Sequence, residues 1–519
     1  MILKTIDNLE CFRDFFNTLK NNSYYGRLGK TFHTKKNLYF LDTGTGKVAQ
    51  INDNVYKVLN SLLENNDFDS LFKLDISKDE LIAALNEIKV AIQKEHILSA
   101  PILKTLTGDS VLNLKKMLST QVFNITLEVT QKCNLRCKYC IYHPSHPNYR
   151  KFGHKNMSFE TAKKAIDFLD NHSSNNKEVY IGFYGGEPLL NFNLLEKCIN
   201  YGNTKFKNKN VLYSMTTNAT LITEDIAKFL VKNKVLITVS LDGPEAVHNE
   251  NRVYADNKGS FNDAVKGLKN LIIAYKKEHI NPSFGFNIVT TGPNYEEKYD
   301  KIQHFFKDSS WIPDNLLSLC TLVDPGPKEM EYVLPQSEKE KYYTNNIHEP
   351  LIDWSNNKKQ KSYNKNLFSQ GDIDKGLLRI HKRLLLDNPI KQYGMNGCCV
   401  PGHRRLYITV DGKFYPCERI GNVPSLGSVD EGFNIPKINK FYVKDFINEA
   451  KKYCKNCWAV NLCSVCYTNC YDKNGIHYSY RHEKCISERF YIQSALVRYH
   501  SILENNPEEL KKLNNIEVT

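Results

Sequence analysis

The chain has no long hydrophobic run, and this absence excludes several classes of protein. Hydrophobic residues make up 41% of the 519 residues, but no apolar stretch approaches the roughly 20 residues that a membrane-spanning helix needs. Charged residues interrupt the first ten positions, so we expect no secretory signal there. The composition therefore predicts a cytoplasmic protein without a membrane partner.

The chain also lacks a concentrated block of positive charge. Its formal net charge is +13, but the Lys and Arg residues are spread through Lys- and Asn-rich segments. Charge distributed in this way is typical of a solvated surface and does not predict a nucleic-acid partner, whereas an acidic peptide is compatible with it. The length is too great for one hydrophobic core and predicts two to four domains.

Cysteine, by contrast, is abundant and unevenly placed. The chain has fifteen cysteines, and disulfides do not persist in a reducing compartment, so the clustered cysteines are better explained as ligands of metals or clusters, whereas Cys11, Cys198 and Cys320 stand alone as ordinary thiols. Three of them form Cys133-x3-Cys137-x2-Cys140, directly after an apolar, β-rich run, and nine lie between Cys398 and Cys485. Three thiolates on one short loop can hold three irons of a 4Fe-4S cluster and leave the fourth iron open. A zinc loop without its fourth ligand is the alternative.

Four motifs together resemble the radical S-adenosylmethionine (radical SAM) superfamily. They are the cysteine loop with its aromatic Tyr139, a Gly-Gly-Glu-Pro segment, a Thr-Asn pair, and a Ser-Leu-Asp-Gly segment followed by an arginine. The resemblance implies that S-adenosylmethionine binds the open iron and contacts these motifs through its amino group, ribose and carboxylate. The cofactor-binding residues that it implies are Tyr139, Gly185, Gly186, Glu187, Pro188, Thr217, Asn218, Ser240, Asp242 and Arg252.

Alternating strands and helices predict the α/β domain that carries these motifs, which we place at 115–325. The alternation gives close to six β/α units and therefore a parallel sheet with helices outside. A partial (β/α)6 TIM-like barrel is the fold of the family, and all four motifs fall at the carboxyl ends of predicted strands. Strands are predicted near 124–130, 179–184, 211–216, 236–240, 283–289 and 317–323, and helices near 159–171, 191–204, 223–233, 261–277 and 296–307.

The cysteine-rich end, 393–490, resembles the SPASM extension of radical SAM enzymes, which holds two auxiliary 4Fe-4S clusters. The resemblance implies three such clusters in all, counting the one on the N-proximal loop. The outer auxiliary cluster would use Cys454, Cys457, Cys463 and Cys485. At the place of one inner ligand the chain has Tyr467, so the inner candidates are Cys398, Cys399, Cys417, Cys466 and Cys470. Structural zinc remains the alternative for these cysteines too.

The remaining segments flank these two domains. Residues 1–100 resemble a winged-helix-like element that binds the leader of a precursor peptide by adding a strand to a sheet edge. A hairpin over 37–51 and a helix capped by Ser77 support this resemblance. Residues 30–100 contain nine basic and ten acidic side chains, a balance that disfavours DNA binding. A connector or lid is predicted at 326–392, with helices near 336–346 and 374–386, and a helical tail at 491–519.

This organisation resembles a maturase of ribosomally made peptides (RiPPs), of the thioether-forming sactipeptide or ranthipeptide type. The expected substrate is a cysteine-containing precursor peptide with a leader, and the expected reductant is flavodoxin or ferredoxin. Formylglycine formation in sulfatases is an alternative, because Glu418 occupies the place of that family's general base after Cys417. Carbon–carbon crosslinking and a zinc-dependent binding protein without catalysis are the others.

Overall fold

The fold was analysed in a computed structural model. It describes residues 2–21, 23–144, 150–290, 295–313, 316–322, 369–421, 423–472, 475–476 and 478–516. In the part of the chain covered by these ranges, no helix is both long and apolar enough to cross a membrane.

The N-terminal unit is a small antiparallel sheet covered by helices. Strands β1, β2 and β3 pair in chain order, and the helix after Ser77 carries the predicted capping box. The predicted hairpin is confirmed, with Gly46 at a positive φ of 72° in its turn. The first helix and β1 were not predicted. The bounds are α1 Ile2–Lys20, β1 Gly29–His33, β2 Leu38–Asp42, β3 Val48–Ile51, α2 Asp53–Asn65 and α3 Lys78–Glu95.

The central unit contains six parallel strands in the spatial order β5 to β10, as predicted. Each predicted strand and helix of this region is present. The bounds are β4 Leu106–Thr107, α4 Asp109–Leu112, α5 Leu114–Thr120, β5 Asn124–Thr130, α6 Phe159–His172, β6 Glu178–Gly185, α7 Phe192–Lys205, β7 Asn210–Thr217, α8 Glu224–Lys232, β8 Leu236–Ser240, α9 Glu245–Asn251, α10 Phe261–Lys277, β9 Phe284–Thr290, α11 Tyr295–Asp308 and β10 Leu317–Leu322.

The two faces of this sheet differ in polarity. On β5 and β6, the apolar residues Ile125, Leu127, Ile181 and Phe183 are buried in the main hydrophobic core, against the helices. Because successive side chains on a strand point to opposite faces, the residues between them form the other face, which we call the inner face. It is largely polar, and it includes Thr126, Glu128, Tyr184, Ser214, Thr216, Thr238 and Asn287.

The cysteine-rich region extends the same sheet. Strand β12 pairs in parallel with β5, and β13 to β15 continue antiparallel from it, giving ten strands in all. The bounds are α12 Ser369–His381, β11 Tyr393–Gly394, β12 Leu406–Ile408, β13 Lys413–Tyr415, β14 Gly427–Ser428, β15 Gly432–Phe433, α13 Ile435–Ile438, α14 Phe446–Cys454, β16 Tyr471–Asp472, β17 Gly475–Ile476 and α15 Tyr478–Asn505.

Two predicted segments, a connector and a tail, flank the cysteine-rich region. The predicted helix near 336–346 and most of the predicted connector lie outside the described residues, and the helix predicted near 374–386 is observed as Ser369–His381. The predicted boundary between 490 and 491 falls inside α15, which runs without interruption from Tyr478 to Asn505.

Candidate functional site

The three cysteines of the N-proximal loop are free thiols near the carboxyl end of β5. Burial raises the pKa of each thiol, that of Cys137 to about 12, and the charges of Cys137 and Cys140 add to the increase at Cys133. The loop is held by the backbone, because Arg136 N donates to Val253 O at 2.7 Å and Lys138 N to Asn251 O at 3.0 Å. The raised pKa values favour the protonated form of these half-buried thiols, and a bound cation would favour their thiolates.

The Gly185-Gly186 pair packs against the start of this loop. A Cβ added to Gly185, whose φ is 133°, would lie 2.2 Å from Thr130 O, and one added to Gly186 would lie 2.0 Å from Lys132 O. Gly186 N and Glu187 N donate to these two carbonyl oxygens at 2.9 and 2.8 Å. The two glycines therefore allow close approach to the backbone that leads into the cysteines.

Glu187 is fully buried and joins the ends of β6 and β7. Its carboxylate accepts hydrogen bonds from Thr217 Oγ1 at 2.7 Å, Asn218 N at 2.8 Å and Leu189 N at 3.1 Å. Burial raises the pKa of Glu187 to about 7, although these hydrogen bonds oppose the increase. Pro188 begins a short 3-10 helix directly after it. The predicted Glu187, Thr217 and Asn218 are therefore in direct contact.

Asp242 joins the remaining predicted residues into a second buried group. It accepts hydrogen bonds from Arg252 Nε at 2.8 Å and Nη2 at 3.1 Å, from the Tyr139 hydroxyl at 2.5 Å, and from Val289 N at 2.9 Å. The Arg252 guanidinium also lies 5.3 Å from the centre of the Tyr139 ring. Asp242 thus links the cysteine loop to β9 and to the segment after α9. Ser240 lies two residues earlier, buried at the end of β8.

The structure also brings together a group that sequence analysis missed, on the inner face beside β12. Tyr142 and Tyr407 hydroxyls are 3.1 Å apart, and the Arg150 guanidinium lies 4.4 Å from the centre of the Tyr407 ring. Glu128 and Tyr184 are in register on β5 and β6. An acidic residue on the polar face of an otherwise apolar strand was the available signal for Glu128.

Glu418, the predicted general base, is ion-paired. Arg405 Nη1 donates to its carboxylate at 2.9 Å, and Arg419 Nε is 3.7 Å from the same oxygen. The backbone oxygen of Glu418 accepts from Arg150 Nη2 at 2.6 Å. Glu418 therefore contacts Arg150 of the inner-face group through its backbone and directly follows Cys417, while its carboxylate faces Arg405 and Arg419.

The four cysteines assigned to the outer auxiliary cluster line one cavity. The cavity measures about 580 Å³ with its open mouth included. Its walls also contain Cys398 and the apolar residues Leu106, Met395 and Val460. Cys454, Cys457, Cys463 and Cys485 therefore converge from two separate segments, and Cys398 lies beside them rather than apart from them.

The inner candidates lie around Tyr467. Burial raises the pKa of Cys417 to about 12, with Glu418 and Cys466 adding to the increase, and Cys399 contributes in the same way at Cys466. Burial also raises the pKa of Tyr467, and Cys398, Cys399, Cys417 and Cys466 all add to that increase. The Tyr467 hydroxyl donates to Cys399 O at 3.0 Å. The buried thiol of Cys470 instead donates to Cys466 O at 3.5 Å.

The donor chemistry of these sites fits iron–sulfur clusters. Within the described ranges, no three His, Cys, Asp or Glu side chains are grouped to hold a single metal ion. The thiolates of a four-iron cluster each bind a different iron, so they need not be grouped around a single point.

Comparisons with known proteins agree with this geometry. The model of the family described as "Radical SAM superfamily" matches residues 127–304. The chain is 30% identical to the cysteine-type anaerobic sulfatase-maturating enzyme of Clostridium novyi, over 66% of this chain and 85% of that enzyme. It is 24% identical to the radical SAM cyclopropyl synthase TigE of Paramaledivibacter caminithermalis, over 87% and 88% of the two chains. The solved structure of anSMEcpe with bound AdoMet superposes with a TM-score of 0.55 at 25% identity, covering 76% of this chain and 98% of that one.

Proposed function

The chain belongs to the radical SAM superfamily, and from this premise we propose that it crosslinks a ribosomally made, cysteine-containing precursor peptide through a thioether. Cys133, Cys137 and Cys140 would hold a 4Fe-4S cluster, and this cluster would supply the electron for cleavage of S-adenosylmethionine and so the radical chemistry that removes hydrogen from carbon. Flavodoxin or ferredoxin is the proposed reductant.

The grouping of Cys399, Cys417 and Cys466 is the observation that carries the thioether proposal. Three thiolates leave one corner of a four-iron cube without a protein ligand, and such a corner is suited to a substrate thiolate. Cys470 places its thiol against the Cys466 carbonyl, and Cys398 borders both the outer cavity and Tyr467. The inner auxiliary site is therefore the proposed place of the substrate sulfur.

The N-terminal unit supports a peptide substrate with a leader. On β3, Ala49 and Gln50 are exposed, whereas β1 is largely buried. An exposed edge strand can accept a further strand from an extended peptide. The relative TigE matches 87% of this chain and the sulfatase-maturating relative only 66%. The longer match favours an enzyme with this additional unit.

The chain's own residues would position the reaction and exclude water. The Asp242 group fixes the cysteine loop against β8 and β9, and Glu187 fixes it against β7. On the inner face, Arg150 covers Tyr407 and is anchored to backbone oxygens of Glu418 and Ile420. A reactive radical needs such enclosure, because water and stray hydrogen donors would otherwise compete with the substrate.

Formylglycine formation is a second candidate, favoured by the C. novyi relative and by Glu418 directly after Cys417. Carbon–carbon bond formation is favoured by TigE, since a cyclopropyl ring consists of carbon–carbon bonds. Superfamily membership favours all of these reactions over a zinc-binding protein without catalysis.

Co-expression with short cysteine-rich peptides encoded beside the gene, followed by mass spectrometry, tests the proposal. A thioether predicts a loss of two hydrogens and a thiol that no longer reacts with iodoacetamide. A carbon–carbon link gives the same mass change but leaves the thiol reactive, and formylglycine gives an aldehyde that reacts with hydrazides. A Cys→Ser peptide is the matched control and should stay unmodified. Persistent iodoacetamide labelling of the modified peptide would contradict the thioether proposal.

A further inference from the structure

Glu128 is a buried carboxylate, and one of its two oxygens has no hydrogen-bond partner among the described residues. Its side chain lies on the inner face of β5 and is 1% exposed. Oε2 accepts a hydrogen bond from Val410 N, in the turn after β12, at 3.1 Å. In the described part of the chain, Oε1 is the one buried carboxylate oxygen that has no hydrogen-bond partner. Such a group costs free energy unless something else satisfies it.

The position of Glu128 places this oxygen between the two cysteine sites. Its register partner Tyr184 is the residue before Gly185, which packs against the cysteine loop. On its other side, Tyr407 of β12 is in register with Thr126. Arg150, which covers Tyr407, reaches the backbone just after Cys417. Glu128 therefore lies within a series of contacts that runs from the Gly185 segment, beside the cysteine loop, to the backbone after Cys417.

Arg150 does not satisfy the free oxygen. Its two terminal nitrogens donate to the backbone oxygens of Ile420 and Glu418, at 2.9 and 2.6 Å. Its Nε is itself buried without a partner. The positive charge of Arg150 still acts on Glu128 and favours the ionised carboxylate.

The environment also tunes the acidity of Glu128. Burial raises its pKa above the ordinary value. The charge of Arg150, the hydrogen bond from Val410 N and a hydrogen-bond interaction with the Tyr407 side chain lower it, and Asp411 adds to the increase. A raised pKa brings a carboxyl closer to the range in which it exchanges protons with a thiol. The titratable groups that face Glu128 are Arg150, Asp411, Tyr142, Tyr407 and Tyr415.

We propose that Glu128 is the proton acceptor for the thiol of the substrate cysteine, an inference that rests on the proposed function. In this step the S–H bond breaks, the proton forms an O–H bond with Oε1, and the electron pair stays on sulfur as a thiolate. The step needs no oxidant or reductant. It applies to thioether and to formylglycine formation, since the thiol proton is lost in both.

The test uses the Glu128→Gln variant of the full chain, which keeps the side-chain shape and an oxygen for Val410 N. Probe peptides are the cysteine-rich peptides encoded beside the gene and a synthetic sulfatase-type peptide with one cysteine. We expect product formation to fall at least about 100-fold while 5′-deoxyadenosine release continues, because the amide cannot accept the proton. The matched control is Glu178→Gln on β6, a carboxylate that accepts from Asn210 at the amino end of the sheet, which should retain wild-type rates.

A structural defect is separated from a lost proton acceptor by two further measurements. Iron and sulfide content and the melting temperature of Glu128→Gln should match the wild type. The Glu128→Asp variant keeps a carboxylate and should form product, with its acidic limb in the pH–rate profile displaced from that of the wild type. If Glu128 had only a structural role, the substitution would leave the acidic limb of the pH–rate profile unchanged.

The outcomes separate the two proposals. A wild type that leaves every cysteine peptide unchanged overturns the proposed function and this inference with it. If the wild type reacts and Glu128→Gln forms product at a similar rate, or loses product only together with its iron, the inference alone is overturned.

Discussion

Single buried residues at the carboxyl end of the sheet each hold several elements in place. Asp242 accepts four hydrogen bonds, from three residues that lie far apart in sequence, and it is paired with the buried Arg252. A buried pair of this kind is costly to break, because removing one partner leaves an uncompensated charge. The cysteine loop therefore depends on Asp242, although Asp242 itself binds no iron.

Replacing Asp242 by Asn should destabilise the protein and weaken S-adenosylmethionine binding. The substitution leaves the Arg252 guanidinium buried without its counter-charge, at a cost of roughly 3–5 kcal/mol. Denaturant unfolding and calorimetric titration of S-adenosylmethionine measure the two effects. Asp256→Asn, which removes the charge from an exposed pair with Lys258, should change neither. Wild-type unfolding and affinity in Asp242→Asn would contradict this role.

Short sequence motifs pointed to some, but not all, of the buried polar residues at the carboxyl end of the sheet. Tyr139, Glu187, Asp242 and Arg252 were singled out because they stand within short, ordered motifs, and the structure brings them into two buried groups; their part in cofactor binding stays a prediction. Their contacts with one another were not predictable, since hydrogen bonds such as that between Tyr139 and Asp242 join positions 103 residues apart. Glu128 belongs to no motif, and its burial and its missing partner single it out beyond its place as an acidic residue on the polar face of β5.

At the scale of elements, β3 is the sheet edge on which the leader proposal rests. In the hairpin, Asp42 N donates to Lys47 O at 2.9 Å. Residue pairs alternate between hydrogen-bonded and non-hydrogen-bonded along an antiparallel ladder. Since Tyr39 is opposite Gln50, the backbone N–H of Gln50 points away from β2 towards the free edge.

Replacing Gln50 by Pro should abolish leader binding without unfolding the unit. Proline removes the outward N–H and is tolerated on edge strands. Fluorescence anisotropy with a labelled leader-bearing peptide should show a large loss of affinity in Gln50→Pro, whereas Gln50→Ala keeps the N–H and should bind normally. Unchanged leader affinity in a folded Gln50→Pro variant would argue against strand addition at β3.

Elements with local signals were the most predictable. The strands β5 to β9 carry buried apolar residues at alternate positions and are followed by amphipathic helices, and Ser77 with Glu80 marked the start of α3. Strands β12 to β15 were not predicted, because they are two or three residues long and because β12 depends on pairing with β5, some 280 residues earlier. Strand β1 was missed for a similar reason, since its pairing with β2 rather than its own pattern defines it.

At the scale of the whole molecule, the N-terminal unit is docked on the cysteine-rich region. The turn after β2 contacts the loop between Cys457 and Cys463, where Thr43 Oγ1 donates to Trp458 O at 3.0 Å and Asn461 Nδ2 to Thr43 O at 2.8 Å. Glu504 of α15 accepts from Thr34, Asn37 and Tyr39. The order of the units was predictable from their motifs, but this docking was not, because single hydrogen bonds between distant loops leave no sequence pattern.

The central claim is that Cys133, Cys137 and Cys140 hold the cluster that cleaves S-adenosylmethionine. Release of 5′-deoxyadenosine from anaerobically reconstituted, dithionite-reduced protein tests it most directly, with the wild type compared to the variant carrying Cys133→Ala, Cys137→Ala and Cys140→Ala. We predict release by the wild type and none by the variant, which should retain about two thirds of the iron in its auxiliary clusters. Continued release of 5′-deoxyadenosine by the triple variant would contradict the account.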